Sequence, residues 1–111
     1  VESGSNTSGR WIKFSDGTAI ITRSIADDEF GSVITGEDPN CRFRFIEGLS
    51  YPITLTEVLN IQVSGAVGGA RVETISVWDV TTSKYNIAIG QYNTTSVYVE
   101  YCAVLIIAKW R

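Results

Sequence analysis

A hairpin signature near the start of the chain constrains the fold more than any other feature. The run Trp-Ile-Lys-Phe over residues 11–14 leads into Asp16-Gly17, and a β-branched segment follows directly. Asp-Gly tolerates the positive φ angles of a tight two-residue turn, whose twist matches that of the strands on either side. The sequence therefore predicts a β-hairpin with strands over residues 10–15 and 18–25.

The remaining sequence is a series of short strand-like segments separated by turn residues. Branched and aromatic side chains, which suit a pleated sheet, are prominent in the 44% of the chain that is hydrophobic. No segment shows the helical period that a βαβ unit would require. About seven strands with turns between them predict an all-β fold, an antiparallel β-sandwich. Beyond the hairpin, the predicted strands are residues 41–47, 57–64, 71–80, 85–89 and 97–110.

The first nine residues differ in composition from the rest of the chain. They are rich in Ser, Gly and Asn, a composition that is typical of flexible coil. Residues 1–9 are therefore interpreted as a leader or linker. Residues 10–111 have the usual size of one domain and are predicted to form the sandwich.

The third predicted strand alternates between aromatic and basic side chains. Phe43 and Phe45 fall on one face together with Cys41, while Arg42 and Arg44 fall on the other. Because apolar faces pack against the core, we expect the aromatic side chains to point inward and the guanidinium groups to point outward.

The last predicted strand, residues 97–110, is apolar on both faces. Leu105 and Ile107 fall on one face, and Val104 and Ile106 fall on the other. A strand with one solvated face alternates between apolar and polar residues, so this strand is expected either between packed layers or against another subunit. Because a small domain buries only part of its surface, we expect an oligomer.

The chemistry available to the chain is narrow. Without His it lacks the commonest general base and metal ligand, and Cys41 and Cys102 are expected to be free thiols. We expect no cofactor, no metal and no enzymatic activity. The carboxylates at residues 27–29 and 37–38 are the remaining catalytic candidates. They could cleave a glycosidic bond, bind Ca²⁺, or form a solvated acidic loop.

Charge and hydropathy argue against two classes of partner. The net charge is −3 and the isoelectric point is about 4.8, so the chain lacks the basic surface that nucleic-acid binding requires. The longest apolar run, residues 103–108, is much shorter than the roughly 20 residues that span a bilayer. We therefore expect neither nucleic-acid binding nor membrane insertion.

Aromatic residues beside small polar residues are the candidates for ligand binding. Aromatic faces stack on the C–H surfaces of sugars, while carboxylates and amides bind the hydroxyl groups. Tyr92 and Asn93, in a predicted polar loop, are the first choice, followed by Trp78-Asp79 and Tyr85. Trp78 and Tyr85 could instead be core residues, and Asn93 could serve in a turn.

The hairpin motif and the end of the chain resemble a known family. Residues 9–18 match the pattern Gly-x-Trp/Tyr-x-Lys-Phe-x-Asp/Asn-Gly-Thr, and residues 104–111 run from apolar side chains into Ala-Lys-Trp-Arg. Both segments resemble the C-terminal receptor-binding tip domain of bacteriophage tail fibres. Two positions depart from the usual pattern, with Ser15 in place of Pro or Ala and Lys109 in place of Arg.

The resemblance implies an H-type-lectin-like β-sandwich that forms a homotrimer at the distal end of a tail fibre, with residues 1–9 leading from the fibre shaft. Such a protein is made in the host cytoplasm and acts on the virion. It binds a receptor on the host bacterium during adsorption, and this receptor is expected to be a capsule or lipopolysaccharide glycan. The alternatives are a glycan-degrading depolymerase tip and a purely structural trimerisation cap.

Overall fold

A computed structural model describes residues 1–31, 34–35, 41–67, 72–92 and 99–111. Within these residues the chain contains nine β-strands and one turn of 3-10 helix, and no helix among them is long and apolar enough to cross a membrane. The strands are β1 (Glu2–Asn6), β2 (Gly9–Lys13), β3 (Thr18–Ile25), β4 (Ile34–Thr35), β5 (Cys41–Ser50), β6 (Glu57–Val67), β7 (Val72–Trp78), β8 (Lys84–Tyr92) and β9 (Val99–Lys109).

The strands form two antiparallel sheets. One sheet has the order β1-β2-β3-β9-β6, and the other has the order β4-β5-β8-β7. Their inward faces contribute to one core, in which Ile21 and Ile106 come from the first sheet and Ile87 and Ile89 from the second. The predicted all-β fold with antiparallel sheets is confirmed for the described residues, and the arrangement is compatible with a β-sandwich.

Strand β9 is an inner strand of the five-stranded sheet and lies between β3 and the edge strand β6. It pairs with β3 along one edge and with β6 along the other. Val104, Ile106 and Ala108 are buried on its inward face, whereas Leu105 is 37% exposed on its outer face. The strand is therefore apolar on both faces, as predicted, and its inward face packs in the core.

The predicted hairpin is confirmed, but its loop is longer than expected. The backbone N–H of Phe14 donates to the carbonyl of Thr18 at 2.8 Å, and that of Gly17 donates to the carbonyl of Phe14 at 3.1 Å. Gly17 has a φ of 97°, whereas Asp16 is not left-handed. These features match a three-residue loop with a left-handed glycine in its last position, so the predicted two-residue turn is wrong.

Trp110 holds this loop in place from the other end of the chain. Its backbone N–H donates to the carbonyl of Gly17 at 2.9 Å, and its indole Nε1 donates to the carbonyl of Phe14 at 3.0 Å. Lys13 and Arg111 each place their charge 5.0 Å from the centre of the indole ring, a distance at which cation–π attraction operates. The hairpin motif and the closing segment therefore form one structural unit.

Residues 2–6 form strand β1, so the prediction of flexible coil over residues 1–9 is wrong for this part. Strand β1 pairs along its whole length with β2 and satisfies the backbone groups of that edge. The indole of Trp11 lies over Gly4, where a Cβ atom would come within 2.3 Å of the ring. Asn6 Nδ2 also donates to the carbonyl of Pro52 at 3.0 Å. Composition alone does not reveal these contacts.

Strand β5 faces the opposite way from the prediction. Arg44 is 9% exposed and lies opposite the buried Ile89, on the core side of the four-stranded sheet. Phe43 and Phe45 are half-buried on the outer side, and Phe45 lies opposite Ala88. A guanidinium group can be buried only when it is hydrogen-bonded and paired, and the turn at residues 27–31 provides those partners.

Arg44 links the two sheets through this turn. Its guanidinium donates to the carbonyls of Asp27 and Gly31, each at 2.8 Å, to the carbonyl of Phe30 at 3.1 Å, and to the Asp27 carboxylate. The carboxylate also accepts a hydrogen bond from the backbone N–H of Val99 at 2.8 Å, at the start of β9. Strand β5 in one sheet is thus connected to strand β9 in the other.

A substitution at Gly17 tests the left-handed loop. We expect Gly17→Val to lower the free energy of unfolding by about 1–2 kcal/mol, because a β-branched residue is strained in this conformation and its Cβ would lie 3.3 Å from the carbonyl of Arg111. Gly17→Asn should cost less, since Asn tolerates positive φ. Thermal unfolding measures both, and a Val variant that melts with the wild type would contradict the expectation.

The pH dependence of stability tests the contact between Asp27 and Arg44. The hydrogen bond from Val99 and the pairing with Arg44 hold the pKa of Asp27 below its ordinary value of 3.8, although desolvation opposes them. The charged carboxylate therefore stabilises the fold above that value, and its contribution disappears as the pH falls through the lower pKa of the folded state. At pH 7, Asp27→Asn should cost about 1–3 kcal/mol, because the mostly buried Arg44 loses its counter-charge.

Urea unfolding of both proteins between pH 7 and pH 3 provides the measurement. The difference between wild type and Asp27→Asn should shrink in the acidic part of this range. Asp28→Asn, at an exposed position of the same turn, is the matched control and should change stability little at any pH. A difference for Asp27→Asn that stays constant down to pH 3 would show that the ion pair does not stabilise the fold.

Candidate functional site

Three aromatic side chains gather on the outer face of the four-stranded sheet. Phe43 and Phe45 stack with their ring centres 6.4 Å apart, and Trp78 meets Phe45 edge to face at 5.7 Å. The strands that carry them, β5 and β7, lie on either side of β8, which has the small residues Ala88 and Gly90 between them. All three rings are half-buried. We call this set, Phe43, Phe45 and Trp78, the aromatic platform.

Asp79 follows the aromatic platform directly along the chain. Strand β7 ends at Trp78, and Asp79 takes a left-handed backbone conformation with a φ of 51°. Asp is among the residues that adopt this conformation most readily, and here it turns the chain out of the sheet. Asp79 is exposed. The structure therefore places the predicted pair, Trp78 and Asp79, at one end of an aromatic surface.

Tyr85 lies in the core, as the alternative interpretation of this residue allows. It is 1% exposed, and its ring centre is 5.2 Å from that of Tyr51. Burial raises the pKa of the Tyr85 hydroxyl above its ordinary value of 10.0, so the side chain is neutral at physiological pH. Tyr85 therefore has no surface on which a ligand could stack.

Tyr92, one of the two first-choice residues of the sequence analysis, lies at the far end of β8. The predicted loop at residues 90–96 is wrong at its start, because β8 continues to Tyr92, whose backbone lies opposite Cys41 on one side and Val72 on the other. Asn93 lies outside the described residues, as do the candidate carboxylates at residues 37–38. The role of Tyr92 and Asn93 in binding stays a prediction.

Two of the three acidic residues at the 3-10 turn have structural partners. Asp27 pairs with Arg44, and Glu29 lies 3.2 Å from Arg23 and also accepts the N–H of Ala26 at 2.7 Å. These contacts favour a structural role over a catalytic pair or a Ca²⁺ site. No group of three or more His, Cys, Asp or Glu residues in the described ranges is arranged to hold a metal ion.

Cys102 is a free thiol on the inward face of β9. It is 2% exposed, and burial raises the pKa of its thiol to about 11. A thiol with this pKa is protonated at neutral pH and is a poor nucleophile. Cys102 therefore packs as a small apolar residue, as the sequence analysis expects.

The outer face of the five-stranded sheet carries an apolar row. Ile12 lies opposite Ile20 across β2 and β3, and Ile20 lies opposite Ile107 across β3 and β9. A β-bulge in β6 between Val58 and Asn60 leaves Leu59 47% exposed near the end of this line. Strict alternation would instead place Leu59 on the face of Ile61, so the sequence does not reveal its exposure. We call Ile12, Ile20, Ile107 and Leu59 the apolar row.

Beside the apolar row, the same face of the sheet contains a polar groove with a volume of about 1030 Å³. It extends from the turn between β1 and β2 across β3 and β9 to β6. The side chains that line it are mostly small and polar. The sequence analysis missed it, because it depends on β1, which was predicted as coil, and on the order of strands within the sheet.

Comparison of the chain with protein-family models, with curated proteins and with solved structures gives no match in any of the three. The description of the fold and of its two outer faces therefore rests on the structure alone. The resemblance to phage tip domains stays a prediction from the two sequence segments that carry it.

Proposed function

We propose that this chain is the receptor-binding tip domain of a bacteriophage tail fibre and that it binds a bacterial surface glycan through the aromatic platform and Asp79. The observation that carries this proposal is the gathering of three half-exposed aromatic rings beside an exposed carboxylate. Apolar side chains on the outer face of a sheet would gain more by facing the core. Their exposure is explained when a ligand covers them.

The chemistry of the platform suits a sugar. The C–H face of a pyranose ring is apolar and stacks on an aromatic ring, while its hydroxyl groups need hydrogen-bond acceptors at the edge. Trp78 and Phe45 provide the stacking surface, and Asp79 provides an acceptor. Binding at one such site is weak, and a fibre that presents several sites gains avidity through effective concentration.

The contact between the two ends of the chain supports the resemblance to tail fibre tips. The hairpin motif and the closing segment are the parts of the sequence that carry it, and Trp110 joins them through hydrogen bonds to Phe14 and Gly17. Two sequence motifs that occur together in a family because of its fold are expected to be in contact. The place of action that follows is the distal end of the fibre on the virion, with the shaft preceding this domain.

Adsorption to bacteria tests the aromatic platform. We expect Trp78→Ala to weaken adsorption of a fluorescent fusion of the chain severalfold, since the loss of a stacking face removes about 0.5–1.5 kcal/mol per site and avidity multiplies the effect. Trp78→Phe, which keeps an aromatic face, should retain most of the binding. Flow cytometry over a panel of strains measures the effect, and thermal unfolding confirms that each variant is folded.

Two comparisons make the adsorption result specific. Asp79→Asn should weaken adsorption, whereas Asp28→Asn, a matched exposed carboxylate at the 3-10 turn, should not. If both Trp78 variants adsorb like the wild type while Tyr92→Ala or Asn93→Ala does not, the binding site includes these two residues and not the aromatic platform. If no strain in the panel binds the wild-type protein, the result argues against a role in adsorption.

A homotrimer is the second part of the proposed function, and the apolar row supports it. Ile106 is fully buried, so Ile107 is the residue of this pair that faces outward. The row lies at the end of the sheet nearest the loop at residues 14–17. A second and a third copy of the chain packed there would cover Ile107 together with Ile12 and Ile20.

Light scattering tests the trimer. We expect a mass of about three times the 12.2 kDa of one chain. Ile107→Asp should reduce it to the monomer mass, because an unpaired charge in an interface costs several kcal/mol. Thr22→Asp places the same charge on the same outer face but away from the apolar row and should leave the mass unchanged. A wild-type monomer at micromolar concentration would exclude the trimer.

A further inference from the structure

The polar groove on the five-stranded sheet has no role in the function proposed above. Its floor is low because Ala103 lies at its centre, opposite Ser24 on β3 and Ser64 on β6. Side chains of this size leave an open channel of about 1030 Å³ across the sheet. The channel is long and shallow, which suits an extended ligand better than a compact one.

The lining of the groove combines hydrogen-bonding groups with positive charge. Thr22 and Gln62 are exposed on either side of Leu105, a partly exposed apolar residue of β9 that also lines the groove, and the described residues that line the groove include no Asp or Glu. Arg10 is exposed at one side, whereas Arg23 is mostly buried and lies 3.2 Å from Glu29. In a chain with a net charge of −3, a surface without carboxylates that carries an exposed Arg favours an anionic ligand.

An exposed aromatic residue lies beyond the centre of the groove. Tyr101 is 54% exposed on the outer side of β9, two residues before Ala103 and outside the lining of the groove. From the spacing of strands and the rise per residue, Arg10 and Tyr101 are roughly 17 Å apart across the sheet. A cation that binds carboxylates in pairs of hydrogen bonds therefore lies at one side of the groove, and a ring on which sugars stack lies beyond the other side.

We propose that this groove binds an extended acidic oligosaccharide. Arg10 binds a sugar carboxylate, the hydroxyl and amide groups of Thr22, Ser64 and Gln62 bind sugar hydroxyls, and Tyr101 stacks on a ring toward the other end. A protein partner fits the groove less well, because interface cores need large apolar and aromatic side chains. The site is on the sheet opposite the aromatic platform and does not depend on it.

Isothermal titration calorimetry of the whole chain tests this site with two probes, hexagalacturonate and the uncharged maltohexaose. We expect saturable binding of hexagalacturonate, weakened by added NaCl. Arg10→Ala should weaken it about tenfold, the value of one hydrogen bond to a charged group, and should leave any binding of maltohexaose unchanged. Tyr101→Ala should weaken hexagalacturonate binding about threefold to tenfold through the loss of stacking.

Ser64→Trp provides an independent variant, because it fills the groove and leaves Arg10 and Tyr101 unsubstituted. It should abolish hexagalacturonate binding. Lys84→Ala, on the other sheet, should bind this probe like the wild type. The absence of saturable binding by the wild type, or equal affinity of the wild type and Arg10→Ala, would overturn the proposal. Loss of binding in Trp78→Ala but not in Arg10→Ala would also overturn it.

The two proposed sites can fail independently in these experiments. The aromatic platform is judged by adsorption to cells, and the groove is judged by binding of a soluble acidic oligosaccharide. Normal adsorption by Arg10→Ala together with its loss of hexagalacturonate binding supports separate sites. Because Arg10, Ser64 and Tyr101 are all on the outer face, these changes leave the core intact, and thermal unfolding checks this for each variant.

Discussion

The position of β9 between β3 and β6 determines the rest of the architecture. Eight of its eleven residues, 102–109, pair on both sides, so β3 and β6, which are far apart in sequence, are joined in one sheet. Its inward side chains pack in the core. Trp110, the residue that follows β9, holds the loop between β2 and β3 in place.

The buried Arg44 explains why aromatic residues are found on an outer face. Successive side chains of a strand point to opposite faces, so Phe43 and Phe45 lie on the face of β5 opposite to that of Arg44. Arg44 satisfies its guanidinium group with carbonyls and a carboxylate of the turn at residues 27–31, which makes burial of the charge tolerable. Phe43 and Phe45 must then lie outside. The contact that joins the sheets thus also creates the surface proposed to bind glycan.

The sequence predicts features that depend on local pattern and misses those that depend on distant partners. The hairpin, the positive φ of Gly17 and the apolar faces of β9 all follow from nearby residues. The pairing of β1, the inward position of Arg44 and the exposure of Leu59 depend on Trp11, on Asp27 and on a bulge opposite Ile107. For the same reason Trp78 and Asp79 could be named as candidates, while their neighbours Phe43 and Phe45 could not.

The two outer faces differ in chemistry, and this difference suggests how one small domain could combine assembly with recognition. An apolar row buries itself most favourably against an identical surface, because the hydrophobic contribution scales with the area removed from water. A polar groove gains little from such burial, since each hydroxyl that loses water needs a new partner. Packing of copies through the row would therefore favour leaving the groove open, and threefold repetition would present each weak sugar site three times to a surface rich in repeated sugars.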